Sequence, residues 1–203
     1  HGSKGDRRNP TNTKLNLWNQ QSVDVREFHQ WLTAIDPQVP VVVVMVQCYS
    51  GGFADMLYPE AQEKPLPIDR PWCGFYATVP DRVAAGCTPD TKEEEYHEYS
   101  TYFFEALRGR TRRGEPVHRP DYDGDGRISL DEAHAYVLIH SRTIDISITT
   151  SDQYLRTLEF ELPEESGLPE ESELTERTSP IELLRSFATP AQAAILDGLI
   201  DAV

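Results

Sequence analysis

Cys48 comes two residues after the uninterrupted apolar run Val41-Val42-Val43-Val44-Met45-Val46 and just before Tyr49-Ser50-Gly51-Gly52. The run is short, β-branched and preceded by Pro40, the composition of a central strand buried on both faces, as in a parallel sheet. In such sheets functional groups gather at the carboxyl ends of the strands, where Cys48 sits. Gly51 and Gly52 let a substrate backbone approach and leave amide N–H groups to face a developing oxyanion. A helix opening with Phe53-Ala54-Asp55-Met56-Leu57 would raise the thiolate fraction through its dipole. A thiolate still needs a proton donor for its leaving group, usually His. Taken alone, a cysteine after a strand is more often packing than chemistry. Of the other two cysteines, Cys73 and Cys87 could form one bridge, but such sparse usage favours three reduced thiols.

A second group with chemical spacing is the run Asp121-Tyr122-Asp123-Gly124-Asp125-Gly126-Arg127-Ile128-Ser129-Leu130-Asp131-Glu132. It matches the twelve-residue EF-hand loop at every diagnostic position. Asp121, Asp123 and Asp125 converge because Gly126 permits the sharp turn. The Arg127 carbonyl supplies the next ligand, Ser129 acts directly or through water, and Glu132 binds bidentately. Hard oxygen ligands in this number suit Ca²⁺ rather than Zn²⁺, as a structural clamp on the helix that follows. Ser129 and Glu132 also form a capping box, and Asp-Gly turns occur without metal. The preceding segment, Arg113 to Pro120, holds two prolines and does not read as the entering helix of a full EF-hand.

These groups need elements to hold them. Residues 3–20 are polar and read as a loop. Ser22 reads as an N-cap for a helix with Val25, Phe28, Leu32 and Ile35 on one face, stopped at Asp36-Pro37. Beyond the Val-rich strand, Gly74 to Val79 reads as a second strand. Thr91 and Glu94 give a capping-box pattern before a helix marked by Tyr96, Tyr99, Phe103 and Leu107 and closed by Gly109. The acidic loop then runs into a helix with Ala133, Tyr136, Val137 and His140. Alternating strands and helices indicate an α/β domain. Two strands are too few to bury these faces, so part of the sheet is expected upstream of His1. Past residue 150 the texture changes: seven of the sixteen residues from Glu161 to Glu176 are Glu, which reads as a solvated linker. Pro180 and Pro190 each fit the first position of a short apolar helix.

Charge sets further bounds. With 19 Lys and Arg against 34 Asp and Glu, the chain carries a formal charge of −15, which argues against nucleic acid and an anionic membrane surface as partners. No apolar run is long enough to span a bilayer. A start at His1 rather than Met reads as a natural N-terminus lost, with any targeting information expected to have gone with it, so the compartment is unknown.

His1-Gly2-Ser3, then a helix, then a Val-rich strand ending in Gln47-Cys48-Tyr49-Ser50-Gly51-Gly52, resembles the caspase-like cysteine peptidases, the group of caspases, metacaspases, legumain-type enzymes and bacterial relatives. The separation of 47 residues between His1 and Cys48 suits that layout. The similarity continues through the Phe75–Val79 strand, the aromatic helix and the Asp-Gly-Asp-Gly segment, and so covers residues 1–150. The resemblance implies a three-layer α/β/α sandwich with a mostly parallel sheet whose N-terminal strands are missing from this chain. Residues 1–150 would form the C-terminal part of the peptidase domain, 151–178 an acidic linker and 179–203 a small helical extension. It further implies that Cys48 attacks the scissile carbonyl of a protein or peptide substrate and forms a thioester. His1 would protonate the leaving amine, and the backbone N–H groups of Gly2 and Cys48 would make the oxyanion hole. Standing alone, His1-Gly2-Ser3 reads as a tag remnant, and its spacing to Cys48 is what turns the reading to catalysis. His29, His97, His118, His134 and His140 read as surface residues. An N-terminal fragment of the same domain is the expected partner.

Two departures from the family pattern matter. The position two before the nucleophile is Val46 rather than a polar or acidic residue, so the specificity of the S1 pocket does not carry over. The upstream strands must come from another chain or a longer sequence. The alternative from a different class is a catalytically silent, calcium-binding interaction module on the same scaffold. A transamidase or ligase would differ only in the nucleophile that resolves the thioester. The Glu-rich segment and terminal helices read as a tether and cap, with an inhibitory tail as the rival reading.

Overall fold

The computed structural model describes residues 1–5, 13–58, 67–86, 97–118, 120–157 and 180–200. It shows a mixed α/β protein with two small open sheets, divided into two compact units. The first comprises His1–Ser100 and Arg142–Leu158, the second Thr101–Ser141 and Glu159–Val203. Thr91, Glu94, Tyr96, Cys87 and the acidic stretch Glu161 to Glu176 lie outside the described residues.

The first unit opens with a three-stranded antiparallel sheet, β1 (Gly2–Ser3), β2 (Lys14–Asn16) and β3 (Ser22–Asp24). The polar segment expected to be a loop therefore contributes two strands, because Leu15 pairs with the buried Val23. Ser22 belongs to β3 rather than capping the helix. Helix α1 (Val25–Thr33) is capped by Asp24, whose side chain accepts the Glu27 N–H. That side-chain bond satisfies one of the orphan donors of the first turn, and the strand before it leaves Asp24 in the extended conformation a cap requires.

The second sheet holds β4 (Val41–Met45), β5 (Trp72–Tyr76) and β6 (Ile148–Thr149), in that order. β4 and β5 are parallel, with Val43 opposite Gly74, and β6 is antiparallel to β5. β4 is an edge strand among the described residues, with Val42 47% exposed, which corrects the expectation of a strand buried on both faces. β5 begins two residues earlier than expected. It ends at Tyr76 because Thr78 leaves the sheet to bond the turn after β4.

Residues Ser50–Leu57 form a 3-10 helix where an α-helix was expected from Phe53. Its buried Phe53, Met56 and Leu57 join Val25, Leu32, Met45, Trp72, Tyr76 and Ile148 in the core. Phe28 of α1 meets Phe53 edge to face at 5.5 Å. Burying a side chain such as Phe53 stabilises the fold by about 1.5–3 kcal/mol. Residues 151–157, read from sequence as the start of the linker, form most of α4 (Thr150–Thr157). Its Gln153 side chain donates to Asp55 at 2.8 Å, which fastens α4 to the 3-10 segment.

In the second unit, α2 (Tyr99–Arg108), which begins in the first unit, ends at Gly109, a left-handed residue with φ 66°. Helix α3 (Leu130–His140) follows the acidic loop and starts with the expected capping box of Ser129 and Glu132. Residues 132–137 are all buried, including His134 at 6% exposure. That corrects its reading as a surface residue: this helix is covered on more than one side. In the first unit His29 is half-buried, its Nδ1 2.7 Å from the Met56 carbonyl oxygen. α5 (Pro180–Phe187) and α6 (Pro190–Ile200) each begin at a proline, as expected. α6 packs on α3 at Gly198, where an added Cβ would stand 3.2 Å from Ile139. No helix among the described residues is long and apolar enough to cross a membrane.

Candidate active site and metal loop

The chain leaves β4 at Met45 and turns sharply through Gln47-Cys48-Tyr49. Tyr49 adopts a left-handed conformation, φ 61° and ψ 17°, uncommon for a residue with a side chain. The turn is fastened on all sides by backbone bonds. The Tyr49 N–H donates to the Arg82 carbonyl at 2.8 Å and the Gly51 N–H to the Thr78 carbonyl at 2.8 Å. The buried Ser50 hydroxyl accepts the Thr78 N–H at 3.3 Å. Gly51 is required, since a Cβ there would lie 2.5 Å from the Thr78 oxygen and 2.9 Å from the Val79 Cα. At Gly52 a Cβ would overlap the buried Thr13 side chain.

This bonding corrects one expectation. The N–H groups of Ser50, Gly51 and Gly52 are consumed by Gln47, Thr78 and Tyr49 carbonyls, so the glycines do not offer theirs to an oxyanion. Their purpose is close packing of the turn against the strand following β5.

The Cys48 thiol is 7% exposed and lies against the backbone of Ala84. Its sulfur accepts the Ala84 N–H at 3.4 Å and stands 4.0 Å from the Ala84 oxygen. On another side the turn meets β1. A Cβ at Gly2 would overlap the Cys48 carbonyl oxygen and lie 2.9 Å from the carbonyl carbon. The structure thus brings Gly2 directly onto the backbone of Cys48, 46 positions away in sequence. The His1 oxygen accepts the Asn16 N–H at 2.7 Å, which makes that the hydrogen-bonded pair of the ladder. Antiparallel pairs alternate, so Gly2 opposite Leu15 is a non-hydrogen-bonded position and its N–H is not spent on β2. His1 is exposed.

The residue after Ala84 is bonded to a carboxylate that sequence reasoning did not single out. The Ala85 N–H donates to Asp145 Oδ1 at 2.7 Å. Asp145 Oδ2 is fully buried and has no hydrogen-bond partner. Burial raises its pKa, hydrogen bonds from Ala85 and Thr143 oppose that, and the charge of Glu98 raises it further. Nothing in the spacing announces Asp145, which lies 97 positions from Cys48 in a segment without a motif.

In the second unit, Asp121, Asp123 and Glu132 each offer an oxygen, all within 4.8 Å of one another, and could hold a metal ion. The loop is shaped by its own backbone. Gly124 and Gly126 take positive φ of 76° and 84°. The Gly126 N–H donates to Asp121 Oδ2 at 3.0 Å, the Asp125 N–H to Asp123 at 3.0 Å and the Arg127 N–H to Asp125 at 2.7 Å. Glu132 closes the loop by accepting from the N–H groups of Tyr122 and Ser129 at 2.7 and 2.8 Å. Burial pushes the Glu132 pKa up, but the bonds from Ser129, Tyr122 and Asp123 outweigh it and hold the group ionised below its ordinary value. Asp121 Oδ1 is buried without a partner, the state a cation would relieve. Asp125, another expected ligand, stands outside that group of three carboxylates. Asp125 accepts the Arg127 N–H, and the Ser129 hydroxyl, also an expected ligand with the Arg127 carbonyl, donates to Glu132 at 3.0 Å.

No protein-family model, curated protein or solved structure matches the chain.

Proposed function

We propose that the protein is a caspase-like cysteine endopeptidase whose dyad is His1 and Cys48, with Ca²⁺ held by the Asp121–Glu132 loop. The observation that carries the reading is the packing of Gly2 onto the carbonyl of Cys48, with the thiol set against the Ala84 N–H. Gly2 against the Cys48 backbone supports a position for its neighbour His1 on the same side of the turn, where a proton donor for the nucleophile is needed.

In this account the Cys48 thiolate adds to the scissile carbonyl carbon, and the oxyanion faces the N–H groups of Gly2 and Cys48. The C–N bond breaks as the His1 imidazolium gives its proton to the departing amine, leaving a thioester. His1 then takes a proton from water, whose oxygen adds to the thioester carbonyl; the C–S bond breaks and the acid product leaves with the thiolate and imidazolium restored. The open edge of β4 supports the expectation that further strands, from an N-terminal part of the same domain, complete a three-layer sandwich. When bound, Ca²⁺ would supply structural cross-linking of the loop to α3. Asp121, Asp123 and Glu132 would be its anchors, and Asp125, Ser129 and the Arg127 carbonyl would complete the shell on closing.

The second reading is a silent calcium-binding interaction module. The burial of Cys48 to 7% favours it, because a packed thiol is inert. Turnover of a fluorogenic peptide set by the wild type, with calcium or chelator, and by Cys48→Ala separates the two. The peptidase reading expects turnover that vanishes in Cys48→Ala. Turnover that survives the substitution, or its absence from the wild type as well, overturns it.

A further inference from the structure

The hairpin that joins β2 to β3 displays an aromatic ring that the proposed chemistry leaves unused. Its tip is Trp18-Asn19-Gln20, closed where the Leu17 N–H donates to the Gln21 carbonyl at 2.8 Å and the Gln21 N–H to the Trp18 carbonyl at 3.4 Å. Trp18 is 87% exposed, whereas Trp72 lies in the core, and Leu17 beside it is also exposed. An indole is among the most favourable groups to cover, and aromatic residues are enriched where partners bind. The tip is held against local preference. Asn19 at φ 58° and Gln20 at φ 60° are both left-handed, a conformation that only glycine takes freely. From Leu15 to Val23 no residue is charged, although 26% of the chain is, so the surface around the indole favours apolar contact over ion pairing.

The tip lies beside the proposed proton donor. The His1 carbonyl accepts the Asn16 N–H at 2.7 Å, so Asn16 stands opposite His1. In such a pair the Cα atoms are about 5.5 Å apart, and two further residues add at most about 7 Å, which puts the Trp18 Cα within about 13 Å of the His1 Cα. Leu17 between them is extended, φ −101° and ψ −178°, and side chains alternate along extended chain, so Trp18 shares the face of Asn16. In the peptidase reading His1 protonates the departing amine, which is the nitrogen of the P1′ residue. The chain beyond that nitrogen passes His1 and advances about 3.4 Å per residue when extended. Its second and third residues then come within reach of the indole.

Resting on the peptidase reading above, we propose that Trp18, with Leu17, is a subsite for the leaving-group side of the substrate and selects peptides with an aromatic or large apolar residue at P2′ or P3′. The ring is covered on binding and stays covered in the transition state, so Trp18 acts on KM rather than on kcat. The closed, strained turn fixes the ring before the substrate arrives, which lowers the ordering cost of binding.

The test uses the full chain and internally quenched peptides identical except for Phe, Gly or Glu at P2′ and P3′. Beside them runs a peptidyl aminocoumarin, which has no residue after the scissile bond. In the wild type kcat/KM for the Phe peptide exceeds that for the Gly peptide by about tenfold, the scale of one aromatic contact with its burial. Trp18→Ala raises KM for the Phe peptide about tenfold, while kcat and the aminocoumarin rate change less than about twofold. Trp18→Phe keeps most of the preference. Binding gives a readout separate from turnover: in Cys48→Ala the Phe peptide shifts tryptophan emission to the blue, and adding Trp18→Phe abolishes the shift. That measurement carries the test if Trp18→Ala does not fold by thermal melting. An equal loss on the aminocoumarin, or a Phe preference that survives Trp18→Ala, overturns the inference. So does a concentration-dependent dimer that Trp18→Ala dissociates, which would give the tip to a second copy of the chain. Cys48-dependent turnover indifferent to P2′ and P3′ also overturns it and leaves the peptidase reading standing. No Cys48-dependent turnover on any substrate defeats both.

Discussion

Replacing Gly2 by Ala tests the meeting of β1 with the Cys48 turn. The new methyl would overlap the Cys48 carbonyl oxygen and stand 2.9 Å from its carbonyl carbon and 3.0 Å from the Gln47 side chain. Ordinary contact begins near 3.4 Å, so one of two backbones must retreat, on the order of 1 Å once the oxygen is cleared. The turn is the stiffer partner, held through Tyr49, Ser50 and Gly51 to the Thr78–Arg82 segment. β1 is held by its pairing with β2 and the His1–Asn16 bond, so it moves. Such overpacking costs about 1–3 kcal/mol. Because His1 moves with β1, a shift of about 1 Å between proton donor and sulfur lowers turnover about 100-fold. Urea unfolding followed by Trp fluorescence reads the first effect, and peptide turnover reads the second. Lys4→Ala is the control, since it removes only an exposed bond to the Asp81 carbonyl and stays within about 0.5 kcal/mol of wild type. If Gly2→Ala unfolds like wild type and turns over peptide at the same rate, β1 does not rest on Cys48 and the reasoning fails.

Three further outcomes follow from the same geometry. Calcium at 100 times its dissociation constant stabilises the protein by about 2.7 kcal/mol, and Asp121→Asn weakens binding at least about tenfold in titration calorimetry; indifference of the wild-type melt to calcium and chelator contradicts this. Burial raises the Asp145 pKa above its unfolded value of 3.8, so the ionised group destabilises the fold at neutral pH, and that penalty disappears below pH 3.8. Asp145→Asn therefore melts above wild type at pH 7 and level with it at pH 3; a variant less stable at pH 7 refutes the assignment. Gly51→Ala, which meets the backbone of Thr78 and Val79, costs about 1–3 kcal/mol by thermal melting. Gly198→Ala meets only the Ile139 side chain at 3.2 Å within a helix and is near neutral, so equal effects of the two would contradict the packing described.

Local signals in the sequence located most elements. The Val-rich run gave β4, the aromatic spacing gave α2, and the two prolines opened α5 and α6. Ser129 with Glu132 marked the start of α3 through the capping box. What failed was whatever depends on distant partners. Ser22 looked like a cap because its side chain suits one, but its pairing with Asn16 holds it in β3 and Asp24 takes the role. The Val41–Met45 composition described a strand covered on both sides, whereas its coverage depends on residues elsewhere, and β4 lies at an edge among those described. For the candidate site, the Asp121–Glu132 run was legible because it is a pattern within one segment, and the structure gathers Asp121, Asp123 and Glu132 there. Asp145 was not, since only the fold brings it to Ala85, the neighbour of the residue against which the thiol lies.

The most direct test of the central claim is the rate at which iodoacetamide alkylates Cys48 in the folded protein near neutral pH, in wild type and in His1→Ala, with labelling sites mapped by mass spectrometry. The account predicts that Cys48 reacts faster than Cys73 and Cys87, and that His1→Ala slows it at least about tenfold, because a thiolate paired with a histidine loses its partner. Cys48 that remains unlabelled while the protein is folded, or labels equally fast without His1, would contradict the dyad and leave the metal loop as the protein's one chemical site among the described residues.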